Sequence, residues 1–201
     1  CLTQLNELFR LDTLIENAVA NHPESVPLLT AAANAYMLSP HDGMIVDNQF
    51  RRGYMQPYGN QSRYVSAFMR DRTRALQLYH QAQPLVKKQL DPDGIRSFYL
   101  KFAAAMRQCD IFNSAWKLQS LTNLGHLPDY ETTEHYRDHG GAPVTSDGQP
   151  AFYTVPSTFE AATNDGQRWR WLLTQAAEAG AEQQVKMLWA DFLFSQFGVQ
   201  T

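Results

Sequence analysis

This sequence is poor in cysteine, nearly balanced in charge and without any long apolar run. Its two cysteines, Cys1 and Cys109, do not settle a redox compartment, because they can pair only if the fold brings them together; buried free thiols are the plainer expectation. A formal net charge of −3 gives no general reason to expect nucleic acid or an acidic lipid surface as a partner. No stretch is apolar for long enough to insert directly in a membrane, and no leader segment precedes the first helical pattern. The chain begins at Cys1 inside an amphipathic pattern, which suggests a segment excised from something longer. The alternative is a mature lipoprotein with a lipid-bearing Cys1, but such an anchor is usually followed by a polar tether, and residues 2 to 9 read as packed helix.

The usual catalytic signatures are missing as well. There is no glycine loop that cradles phosphate, no Gly-x-Ser-x-Gly elbow, no acidic series for calcium and no Cys/His context for a nucleophile. The expectation is a chain that is not an enzyme and carries no cofactor. His135 and His139 lie four apart with His126 upstream, a spacing that two helical metal ligands would use. No Cys or third His lies near them in sequence, and His139-Gly140-Gly141 looks like loop, so a solvent-exposed or structural role is preferred. The rival expectation is a metal-dependent or other enzymatic accessory domain whose site is assembled from two long loops and draws, for example, on His41, Asp42, His135 and His139.

What is present is helical periodicity. Residues 165 to 201 read as two helices joined by a tight turn, with Trp169, Leu172, Leu173, Ala176 and Ala177 on one stripe and Gly180 ending it. Val185, Leu188, Trp189, Phe192 and Leu193 form the stripe of the second helix. Trp169 and Trp171, two apart, point roughly 200 degrees from each other on a helix and so require cover from both sides. Similar patterns at 2–22 with 24–38, and at 69–88 with 95–108, suggest two more hairpins, the turn Asp91-Pro92-Asp93-Gly94 joining the second pair. A further helical stretch spans about 111–124 and carries Trp116. Between these lie two long segments rich in turn residues and aromatics, about 39–67 and 125–157. Phe152, Tyr153 and Val155 favour packing in the second without amounting to a sheet.

An internal echo organises the pattern. Asp71, Arg74, Leu78, Gln81 and Ala82 reappear 94 positions later as Asp165, Arg168, Leu172, Gln175 and Ala176. Recurring hairpins with two apolar faces predict an all-α, irregular tetratricopeptide-like solenoid forming a single domain over 1–201, although the strict period and the Trp-Leu-Gly-Tyr signature are lacking. Asp71 and Asp165 are expected to cap helices, Arg74 and Arg168 to clamp loop carbonyls, and Trp116 and Trp169 to anchor the core. Six arginines between 51 and 74 (51, 52, 63, 70, 72 and 74) face one acid, Asp71, with Phe50, Tyr54, Tyr58, Tyr64 and Phe68 interleaved. That mixture could stack single-stranded nucleic acid or hold an anion; loop clamping and pairing with acids is the preferred reading. Phe50, Arg51, Arg52, Tyr54, His135 and His139 are the candidate interaction-loop residues.

Particular strings carry a resemblance. LLTAAANAYMLSPHDGMIVDNQFRRG, RDRTRALQLYHQAQPL, DGQRWRWLLTQAAE and DFLFSQFGVQT resemble the N-terminal helical region of large bacterial, planctomycete-type alpha-2-macroglobulin-family proteins, across essentially the whole chain. The resemblance implies a segment preceding the macroglobulin domains of an envelope-associated or exported endopeptidase inhibitor. Its partner would then be the remainder of its own parent chain or another protein. The family's Gly-Cys-Gly-Glu-Gln thioester string is absent and no bait segment is evident, so no functional residue carries over. The implied task of this piece is non-catalytic scaffolding or partner binding.

Overall fold

Ile15 and Val19, one helical turn apart, are the two buried side chains of α1, Leu11–Asn21. The helix stops at His22, whose N–H closes on the carbonyls of Ala18 and Val19, because the following Pro23 disfavours another helical residue before it. Ser25 then caps α2, Val26–Leu38, by accepting the Leu28 N–H at 3.4 Å, with Pro27 in the first turn where its missing N–H costs nothing. A computed structural model describes residues 7–53, 62–108, 120–132 and 154–197 of the chain. They belong to two compact units, 1–85 with 124–137 and 86–123 with 138–201.

The first unit contains a sheet, and this overturns the all-α solenoid expected from periodicity: the fold is mixed, with helices around a small antiparallel sheet. Strands β1, Asp42–Val46, β2, Gln49–Arg52, and β3, Arg63–Ser66, lie in the order β2-β1-β3. The β1–β2 hairpin turns on Asp47 and Asn48, at φ 51° and 60°, the left-handed pair of a two-residue hairpin turn that Asn and Asp tolerate best after Gly. Gly43 pairs with Arg52 across that hairpin, and a Cβ there would run into the Arg51 carbonyl and the Phe50 ring. Beyond β3, Ser66 exchanges two backbone hydrogen bonds with Glu131, at 2.8 and 2.9 Å.

Helix α3, Phe68–Ala82, follows the sheet and lays Ala75, Leu76, Leu78, Tyr79 and Ala82 inward. Its main helical neighbour is α2, and the Tyr79 hydroxyl donates to Asn34 Oδ1 at 2.7 Å. Sequence-adjacent hairpins are therefore not the dominant packing pairs. α2 and α3 are joined by the sheet itself.

The second unit is likewise built on one dominant helix pair. After the 3-10 turn Gln83–Leu85 come α4, Val86–Gln89, and α5, Pro92–Arg107, the latter capped by Asp91, which accepts the Gly94 N–H at 2.8 Å. Phe98, Phe102, Ala103 and Met106 are buried along α5, and its main partner is α6, Asp165–Ala176. The connection between them is again long. A wide π-helical turn, Ala177–Ala181, passes through Gly180 at φ 95°, a conformation that suits glycine, and leads into α7, Glu182–Phe197. Trp169 lies 4.7 Å from the Phe192 ring and 6.4 Å from Trp189 on α7, whereas Trp171 meets Tyr99 and Phe159 edge-on. The two tryptophans thus turn to different neighbours. Among the described residues, no helix is long and apolar enough to cross a membrane.

Candidate functional site

Arg52 closes β2 and is 1% exposed as a side chain. A buried guanidinium must spend its N–H groups on acceptors, and here every one is used. Nη1 donates to Asp71 Oδ2 at 2.6 Å and to the Pro40 carbonyl at 2.8 Å; Nη2 donates to Asp71 Oδ1 at 2.8 Å and Asp12 Oδ1 at 2.7 Å; Nε donates to Asp12 Oδ1 at 3.0 Å. His41 Nδ1 lies 2.8 Å from Asp71 Oδ2, and its ring stands edge-on to Phe68 at 4.9 Å. One arginine therefore ties β2 to α1, to α3 and to the segment entering the sheet.

A second cluster adjoins it. Arg74 donates to both Glu16 oxygens at 2.8 and 2.6 Å and to Gln77 Oε1 at 3.1 Å, and the Tyr36 hydroxyl donates to Glu16 Oε1 at 2.7 Å. Arg70 reaches the Pro128 carbonyl at 2.8 Å while lying over the Tyr130 ring at 4.9 Å, and Tyr130 stacks on Phe50 at 4.8 Å. Around these groups opens a cleft of about 320 Å³, lined by three carboxylates (Asp12, Glu16, Asp71), three guanidiniums (Arg52, Arg70, Arg74) and Tyr36, Phe50, Leu127 and Tyr130.

The electrostatics divide the two acids of α1. Burial raises the Asp12 carboxyl above its ordinary value and outweighs Arg52, with the charges of Asp71 and Glu16 adding to the rise. Burial also opposes ionisation of Glu16, but hydrogen bonds from Arg74 and Tyr36, with the charge of Arg74, bring its carboxyl below the ordinary range. Burial and the Glu16 carboxylate push the Tyr36 hydroxyl far up, which keeps it a donor.

In the second unit the Asp165/Arg168 pair grips one residue. Asp165 Oδ1 accepts the Thr122 N–H at 3.0 Å, Oδ2 accepts the Thr122 hydroxyl, and Arg168 Nη1 donates to the Thr122 carbonyl at 2.8 Å. Arg168 also lies over Phe159 at 4.9 Å. Both backbone polar groups of Thr122 are thereby held by side chains one turn apart on α6.

Several sequence expectations are corrected by this geometry. Asp71 does not cap α3, since Ala67 occupies that position; the carboxylate lies within the first turn, where Arg52 claims it. Asp165 does not cap α6 either. Asn164 does, accepting the Gln167 N–H at 2.8 Å, while Gln167 Oε1 accepts the Thr163 N–H. Arg74 binds the side chains of Glu16 and Gln77 instead of a loop carbonyl, because a carboxylate on α1 lies within reach and makes the stronger, charge-assisted bond. Carbonyl clamping falls to Arg52, Arg70, Gln77, Gln81 and Arg168. Trp169 is 1% exposed. Phe50 and Arg51 are half-buried on β2, Phe50 in the cleft wall.

Tyr54, Trp116, His135 and His139 lie outside the described residues. Of the rival loop site, His41 is engaged by Asp71 and Asp42 opens β1. No group of three or more His, Cys, Asp or Glu suited to a metal occurs among the described residues. Asp12, Glu16 and Tyr130, all in the cleft, were not marked by the sequence reading. Only the i, i+4 spacing of Asp12 and Glu16 on one helix face, a repulsive pair unless answered by cations, could have signalled the first two.

Comparison with protein-family models, curated proteins and solved structures finds no match to this chain.

Proposed function

We propose that this chain is a non-catalytic scaffold or protein-interaction module. The observation that carries the reading is the use made of Arg52: all five of its N–H groups are spent on fastening α1, α3 and the Pro40 segment to the sheet. The grip of Asp165 and Arg168 on Thr122 supports the same reading, with charge again used to fix chain segments. On α7, Met187, Leu193 and Phe194 stand 68%, 40% and 75% exposed, and outward apolar side chains of that size favour a protein contact as their cover.

With the resemblance to bacterial alpha-2-macroglobulin-family proteins, the context proposed is a segment that precedes macroglobulin domains in an envelope-associated or exported endopeptidase inhibitor. Its partner is the remainder of that parent chain or another protein. The experiment is to read the parent gene and crosslink the intact product. Macroglobulin-type β domains downstream, with crosslinks from them to this segment, are the expected result. A parent without such domains overturns the context, and hydrolytic or redox turnover that disappears when the Arg52 cluster is disrupted overturns the non-catalytic assignment.

A further inference from the structure

The cleft of the first unit has two polar groups left over once the internal bonds are counted. Among the described residues, Asp12 Oδ1 accepts twice from Arg52 and Oδ2 accepts from nothing; Asp12 is 34% exposed as a side chain. Arg70 spends Nη1 on the Pro128 carbonyl and its face on Tyr130, leaving Nε and Nη2 without a protein acceptor among those residues. Glu16, Arg52, Asp71 and Arg74 are by contrast committed to one another and to the fold. The lining as a whole is neutral, three carboxylates against three guanidiniums. That balance disfavours any ligand with net charge, because such a ligand would meet as much repulsion as attraction. The leftovers still form a dipole, negative on the α1 wall at Asp12 and positive on the wall of Arg70. Leu127, Phe50 and Tyr130 supply apolar surface, and about 320 Å³ lies at the small end of ligand sites.

We propose that this cleft binds a zwitterion of amino-acid size, its ammonium on Asp12 Oδ2, its carboxylate on Arg70 and an apolar side chain against Leu127 and the rings. An ammonium there also compensates a carboxylate that shares its arginine with Asp71. The assignment goes beyond the scaffold reading, and its failure leaves that reading standing.

The test is ligand-observed NMR on the intact chain with three probes: L-phenylalanine, 3-phenylpropionate, which lacks the ammonium, and phenethylamine, which lacks the carboxylate. Each lost charge-assisted bond is expected to weaken binding about tenfold or more. Asp12→Asn is expected to erase the advantage of L-phenylalanine over 3-phenylpropionate alone, and Arg70→Gln its advantage over phenethylamine alone. Equal binding of the three probes, or no saturable signal from L-phenylalanine, overturns the proposal on the unmodified protein without recourse to any variant. Variants that fold but leave both preferences unchanged overturn it as well.

Discussion

Arg52 and Asp71 meet through two parallel hydrogen bonds, 2.6 and 2.8 Å long, with side chains only 1% and 4% exposed. A bidentate guanidinium–carboxylate pair fixes orientation as well as distance, so it sets the angle at which β2 lies on α3. Removing one partner strands the other charge in a dry site. Arg52→Met should lower unfolding free energy by about 3–5 kcal/mol, read from urea denaturation at neutral pH, and replacing Asp71 with Leu in the same chain should recover part of it. A single-variant loss under about 1 kcal/mol would show that the pair does not hold the sheet.

Thr122 offers a cleaner probe of the second unit. Asp165→Ala leaves the Thr122 N–H without its acceptor and should cost about 1–3 kcal/mol, with faster hydrogen exchange at that amide. Arg168→Ala should have a smaller effect than Asp165→Ala, and the two should combine less than additively because they grip the same residue. Unchanged exchange at Thr122 in both variants would rule out the clamp.

Where sequence succeeded and failed follows from the range of the forces involved. The stripe of Trp169, Leu172, Leu173 and Ala176 is a local property of 3.6-residue periodicity, and those residues are buried. The sheet was missed because its strands are four or five residues long and one of them ends on a buried arginine, which breaks the alternation a strand should show. What makes Arg52 tolerable inside lies 19 residues ahead at Asp71 and 40 behind at Asp12, and no short window contains that. The Asp47-Asn48 turn was the available clue. Capping failed for a related reason. Asp is a favoured cap, so local preference assigns Asp71 and Asp165 to cap positions, yet each lies inside the first turn, where its distant partner outweighs that preference. The 94-residue echo links helices that each pack on the preceding described helix across a long connection, α3 on α2 and α6 on α5, a pairing that adjacency in sequence conceals.

Asp12 and Glu16 should respond to pH with opposite signs. Glu16 titrates below its ordinary 4.5 when folded, so the stability it adds is present above that value and disappears as pH falls through the folded pKa. Asp12 titrates above its ordinary 3.8, so its contribution favours folding at low pH and is lost as pH rises through the folded pKa. Stability measured by denaturation from pH 3 to about 7 should accordingly converge between wild type and Glu16→Gln at the acid end. For Asp12→Asn, the carboxyl's titration should change the difference in the opposite direction. Parallel curves for both variants would contradict the assigned shifts.

Trp169 tests the packing of α6 on α7. Trp169 is 1% exposed and its ring lies against Phe192, so Trp169→Ala should cost about 3–5 kcal/mol through lost burial and the cavity left behind. A loss below about 1 kcal/mol would mean that the helix pair closes without it.

The hairpin turn tests the element that overturned the all-α reading. Asp47 and Asn48 occupy left-handed backbone, φ 51° and 60°, and a β-branched residue there would press its side chain on the following carbonyl. Asp47→Val should therefore cost about 1–2 kcal/mol, while Asn48→Gly, which removes the Cβ where φ is positive, should leave stability equal or higher. Because a surface loop without turn geometry would accept valine at no cost, the contrast between the two variants decides whether β1 and β2 form the hairpin that carries Arg52 to Asp71. If Val is tolerated and Gly destabilises, the hairpin is not formed, and the placement of Arg52 fails with it.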